Sequence, residues 1–141
     1  MRGAAAGVLA AASWAAAEPL LGRAFKAPYS DVRLLGALVT RGRMWPAVGT
    51  AIHLANGAAF GFVWDRLGGG TWKRGMLAAQ LENLVLWAPS MAFVDRYHPD
   101  RRSGAMPPLL WNPRVFGYEV ATHTIFGAVL GLLSTDSVAR G

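Results

Sequence analysis

Residues 53–61, HLANGAAFG, and residues 123–131, HTIFGAVLG, decide how this chain is read. Each places a histidine and two glycines at four-residue steps: His53, Gly57 and Gly61, then His123, Gly127 and Gly131. Residues four apart share one face of an α-helix. Each stretch is therefore a helical column with an imidazole at one end and small residues along it. Gly49 extends the first column by one step, and Glu119 extends the second. The two columns are 70 residues apart, and AFKAPY (Ala24–Tyr29) is echoed by AFVDRY (Ala92–Tyr97) at an offset of 68. The chain thus reads as two halves, 1–70 and 71–141, each a hairpin of two helices. Two spans return the chain to its starting side, so the halves are expected to be parallel repeats about an axis normal to a membrane. Small residues at four-residue spacing let helix backbones approach closely in lipid. The expectation is that these glycines close the second and fourth helices on each other.

The runs around the columns set the solvent. Four of them, 3–22, 45–64, 75–94 and 115–134, are apolar over the roughly 20 residues that a helix needs to cross hydrocarbon. In the 141 residues, apolar types make up 53% and charged types 16%, against about 25% charged in soluble domains. A chain of this size folding in water has too little interior to hide so much apolar surface. The fold expected is all-α, a single four-helix transmembrane bundle. A competing reading takes Ala15–Ala17 before Glu18 as the cleavage site of a secretory signal peptide. The apolar run continues through Leu20 and Leu21 and the repeat requires this helix, so it is kept as a span.

Trp45, Trp64, Trp72 and Trp111 fall near span ends, where indoles favour the interface. Pro46 opens the second span without loss of a hydrogen bond. Pro19 and Pro89 should bend or end theirs. Between spans one and two, Ser30 and Asp31 can cap a helix through Thr40 that is too short to cross and should lie in the interface. Between spans three and four, DRYHPDRRSGAMPPLLWNPR is expected to be irregular, with Leu109–Trp111 dipping toward the headgroups. His98 in this charged stretch reads as a solvated loop histidine.

The net charge of +6 does not point to nucleic acid, because the arginines sit between apolar runs and form no basic face. They flank spans and meet anionic headgroups. Nine Lys and Arg fall in the first and third connections, and five in the termini and the middle connection. That bias places both termini outside the cytoplasm. Twelve Arg against two Lys suggest a GC-rich bacterial genome. With no cysteine, disulfides and thiolate chemistry are excluded. Walker loops, dinucleotide fingerprints and nucleophile elbows are also absent, and no residue is assigned a catalytic role.

What remains is a polar set inside the spans: Glu18, His53, Glu82, Asn83, Glu119 and His123. A charge at the bilayer centre costs about 2.5–3.5 kcal/mol on insertion scales, so none of the ionisable groups should face lipid. Midplane groups of this kind mark pathways for protons, cations or small solutes. They can equally hold a bundle or an oligomer together by hydrogen bonds across helices. A second possibility is a b-type haem between His53 and His123, serving electron transfer. A third is a metal held by His53, Glu82, Glu119 and His123, although Glu-x3-His is not the Glu-x2-His of carboxylate di-iron bundles. An accessory or scaffolding subunit that binds a membrane partner or anionic lipid is the remaining class.

The two H-x3-G-x3-G stretches, His53–Gly61 and His123–Gly131, together with the Gly/Ala-rich first span, resemble the small four-span bacterial inner-membrane proteins of the YagU-like type. Glu82-Asn83 and DRYHPDRR depart from that pattern. The resemblance implies a multi-pass location in the bacterial cytoplasmic membrane, and no activity.

Overall fold

The computed structural model describes residues 3–138, with side chains through Ser134. Arg2 and Arg140, two of the cations in the orientation count, lie outside the described residues. The described chain is all-helical: α1 (Gly3–Phe25), α2 (Asp31–Val39), α3 (Trp45–Arg66), α4 (Trp72–Tyr97), α5 (Pro99–Arg102) and α6 (Pro113–Val138). Of these, α1, α3, α4 and α6 are long and apolar enough to cross a membrane. The shortest has 22 residues, about 33 Å at 1.5 Å per residue, against a hydrocarbon core of about 30 Å. This is the architecture of a multi-pass membrane protein.

The helices outrun the apolar windows. The third span begins at Trp72 rather than Gly75 and ends at Tyr97. Lys73, Arg74 and Arg96 can bury their stems along a helix while their heads reach the interface, so charge did not mark its ends. Neither Pro19 nor Pro89 ends its helix. In α2, Ser30 is the N-cap as expected, with Oγ accepting from the Arg33 N–H. The third connection is more ordered than its composition suggests. His98 caps the single turn of α5, and Nδ1 accepts from the Asp100 N–H. The Asp95 carboxylate accepts from the backbone N–H groups of Leu109 and Leu110 and from Arg101 Nε. Leu109 is fully buried rather than near the headgroups, whereas Trp111 is exposed.

His98 overturns its expectation. It is completely buried, and Nε2 lies 3.0 Å from the Leu34 carbonyl of α2. Since a carbonyl only accepts, Nε2 carries the proton, and the ring locks the third connection onto the short helix of the first.

The glycine columns also pair otherwise than expected. A Cβ on Gly57 or Gly61 would strike the backbone of Gly7 in α1, and one on Gly127 or Gly131 would strike Gly75 or Thr71–Trp72 at the start of α4. Gly49 packs in the same way on Val32 and Gly36 of α2. The columns therefore close each hairpin on itself, α3 on α1 and α6 on α4, and do not join α3 to α6. Those two helices meet through long side chains, Phe60 on Phe126 and Trp64 Nε1 to Ser134 Oγ. Across the hairpins α1 packs along α6, while α3 and α4 share no extensive contact. The spans thus run in the order α3, α1, α6, α4, with a cleft between the outer two.

Two apolar clusters fill the interior. One, around Tyr29, Leu34, Met91, Leu109 and Tyr118, lies at the end that carries α2 and α5. The other, around Ala10, Trp64, Phe126 and Leu130, lies toward the middle connection. The polar residues of the spans are sandwiched between them.

Candidate functional site

His123 stands at the middle of α6 and is held from both ring nitrogens. Nδ1 lies 2.7 Å from the Glu119 carbonyl one turn back, and 3.5 Å from Glu119 Oε2. A carbonyl cannot donate, so Nδ1 bears a proton. Nε2 lies 3.1 Å from Glu82 Oε2 of α4. If that imidazole is neutral, its Nε2 is a bare acceptor, and a bare carboxylate is another. The contact requires one proton between them, on either side. His123 and Glu82 are a proton-sharing pair.

The pair opens onto a cavity of about 260 Å³ in the cleft between α3 and α4. His53, Asn83, Glu119 and Asp31 also line it, along with aromatic walls. Four of the ionisable groups in the spans are buried as expected, namely Glu18, His53, Glu119 and His123. Glu82 departs from that expectation: 38% of its side chain is exposed, at the cavity mouth. Exposed Asn56, Leu86 and Ser90 share this mouth at membrane depth. Two buried atoms of the lining have no hydrogen-bond partner, Asn83 Nδ2, a donor, and Glu119 Oε1, an acceptor.

His53 differs from His123 although both head their columns. Its Nε2 donates to the Ala11 carbonyl of α1 at 3.1 Å. Trp14 packs edge-on against both imidazoles, 5.2 Å from the His53 ring and 4.4 Å from the His123 ring. The indole thus takes the space through which the two rings would have to reach a common iron. Three of their four nitrogens are engaged by Ala11, Glu119 and Glu82. These residues do not fit a bis-histidine haem. Among the described residues, no three His, Asp or Glu side chains converge as a metal ligand set.

Glu18 lies apart from the cavity. Its carboxylate accepts from Ser30 Oγ at 2.5 Å and from the Asp31 N–H at 3.0 Å, at the N-terminus of α2. There the helix dipole and free N–H groups favour an anion. It anchors the short helix to α1.

Asp31 and Trp14 were missed in the sequence as members of this site. Asp31 begins α2, but its carboxylate turns inward and accepts from Trp14 Nε1 at 3.0 Å and from the Tyr29 hydroxyl at 2.6 Å. Burial pushes the Asp31 carboxyl above its ordinary range, outweighing the Tyr29 hydrogen bond and the histidines that favour its charged form. Burial likewise pushes the Tyr29 phenol well up, with the Asp31 and Glu119 carboxylates adding to it. Tyr29 borders both the cavity and a second, polar hollow of about 580 Å³ at the end of the molecule, beside Glu18, Ser30, Arg33 and Asp100. Tyr29, hydrogen-bonded to Asp31, therefore stands between this vestibule and the cleft that Glu119, His123 and Glu82 line. The only signal for it in the sequence was the Tyr-Ser-Asp run before a short apolar helix.

No protein family, curated protein or solved structure matches this chain.

Proposed function

We propose that this multi-pass membrane protein binds a small solute in the cleft between α3 and α4 and exchanges a proton with it through His123 and Glu82. The observation that carries the reading is the 3.1 Å contact of His123 Nε2 with Glu82 Oε2, fixed by the Nδ1 proton on the Glu119 carbonyl. A shared proton at membrane depth, beside a cavity with unsatisfied polar atoms, suits uptake and release better than it suits packing alone. The Tyr29–Asp31 connection supplies the route to water. The role proposed is non-enzymatic. The surplus of Lys and Arg in the first and third connections, with the YagU-like resemblance, supports a bacterial cytoplasmic membrane with both termini outside, which puts the vestibule on the cytoplasmic side.

The test is infrared spectroscopy of the purified protein in detergent across a pH series, following the carbonyl stretch of protonated carboxyl groups. Wild type should show a titrating band that Glu82→Gln removes and His123→Ala displaces. Identical titrations in wild type and both variants would show that Glu82 never takes the shared proton, and the reading would fail.

A further inference from the structure

Every titratable group facing the cavity can be named: Glu82 from α4, Glu119 and His123 from α6, His53 from α3, and Tyr29 and Asp31 from the lead into α2. Among the described residues, no Lys or Arg lines it. The remaining walls are largely aromatic, with Trp14, Phe60, Trp87 and Phe126 around the hollow. Three carboxyls with no Lys or Arg beside them in the cavity, enclosed by ring faces, attract organic cations by charge and by the ring quadrupole.

Two further atoms narrow the ligand. Glu119 and Asn83 line the cavity, and their buried atoms Glu119 Oε1 and Asn83 Nδ2 have no hydrogen-bond partner among the described residues. Both residues are 4% exposed. Burial without a partner is costly for each, so a ligand that satisfied both would carry an N–H donor and an oxygen acceptor. The mouth between α3 and α4 opens sideways at membrane depth, where exposed Leu86 borders polar Asn56 and Ser90. Access is therefore from the bilayer, by a molecule apolar enough to partition there.

Building on the proton-sharing pair, we infer that the cavity takes a small single-ring amine carrying a hydroxyl group, bound as its ammonium ion in exchange for a proton. The ammonium donates to Glu119 Oε1, the hydroxyl oxygen accepts from Asn83 Nδ2, and the ring lies among Trp14, Phe60 and Trp87. Charge in the cavity is conserved. The proton shared by His123 and Glu82 leaves as the ammonium enters, passing by Tyr29 and Asp31 to the vestibule, and a second ammonium N–H takes its place toward Glu82 and His123. No bond other than the one to that proton is broken.

The experiment uses the full chain in detergent, weakly buffered near neutrality with a pH indicator, and titrates it with protonated 2-amino-1-phenylethanol while tryptophan fluorescence is followed. Saturable quenching with release of roughly one proton per amine is expected. The uncharged 1-phenyl-1,2-ethanediol should bind about tenfold or more weaker, as should the amine to Glu119→Gln. The deoxy analogue, 2-phenylethylamine, should lose affinity in wild type but not in Asn83→Ala. That difference separates an Asn83 contact from a general loss of fold. Linear quenching, or equal binding of diol and amine, overturns the inference. If the amine fails to bind while the infrared band of the pair still titrates, the ligand class is wrong and the proton-sharing reading stands. If both are absent in wild type, the reading beneath it falls as well.

Discussion

Trp14 of α1 and Glu82 of α4 both lie against His123, the indole edge-on at 4.4 Å and the carboxyl 3.1 Å from Nε2, while Trp14 also packs on His53 at 5.2 Å. In the first hairpin an indole packs on His53. In the second a carboxyl shares a proton with His123. The two histidines thus have different partners, a carbonyl for one and a carboxyl for the other, and should behave differently when removed. His53→Ala loses one hydrogen bond to a carbonyl within helix α1, a loss of about 0.5–1.5 kcal/mol, and should leave unchanged the part of the infrared carboxyl band that Glu82→Gln removes. His123→Ala leaves Glu82 without its partner and should alter that band. Equal spectral effects from the two variants would contradict the assignment.

The glycine pairing predicts where bulk is tolerated. Gly57→Val forces a side chain into the backbone of Gly7, and Gly127→Val forces one into Gly75. Each should cost about 1–3 kcal/mol by overpacking, read as a lower thermal midpoint in detergent. Gly42→Ala, in an exposed turn with only Thr40 Oγ1 within reach, should stay within about 0.5 kcal/mol of wild type. If Gly57→Val melted with wild type, α1 and α3 could not be in backbone contact.

The spans and the inward turn of Glu119, His53 and His123 were legible because hydrocarbon penalises the alternatives heavily. Which helix each glycine column meets was not legible. Four-residue spacing tells which residues share a face, and says nothing of what faces them. A signal did exist: Gly7 and Gly75 repeat at the offset of 68, as Gly57 and Gly127 do at 70, so each column had a small partner within its own hairpin. The burial of His98 and Asp31 was hidden by their charged and capping neighbours, which read as exposed. The offset again held a clue, since Ser30 and His98, 68 apart, are both N-caps.

His98 and Arg33 both tie the first connection to the third, by different physics. His98 is wholly buried and joins the Leu34 carbonyl to the Asp100 N–H. Its replacement by Ala leaves both without that partner, at a cost of about 1–3 kcal/mol. Arg33 forms an ion pair with Asp100 at 2.8 Å, but its side chain is 53% exposed, and such pairs contribute about 0–1 kcal/mol. Thermal melts should therefore rank His98→Ala well below Arg33→Ala. The reverse order would mean that the ion pair, and not the imidazole, holds the two connections together.

Asp31 gives the fold a pH dependence of defined sign. Its carboxyl is pushed up by burial from an ordinary value of 3.8. A group with a raised pKa in the folded state binds its proton more tightly there than in the unfolded chain. Its stabilising contribution is complete below the unfolded value and is lost as pH rises through the folded one. Wild type should therefore lose stability from about pH 4 upward relative to Asp31→Asn, which cannot titrate. Tyr29 acts in the same sense at higher pH, its phenol being held well above the ordinary 10.0. Above that value the unfolded chain ionises first, so wild type should destabilise further in alkali and Tyr29→Phe less steeply. Melting midpoints followed by tryptophan fluorescence across a pH series read both slopes. A constant offset between wild type and Asp31→Asn from acid to neutral pH would mean that Asp31 is solvated, and Tyr29 would lose its buried partner between vestibule and cleft.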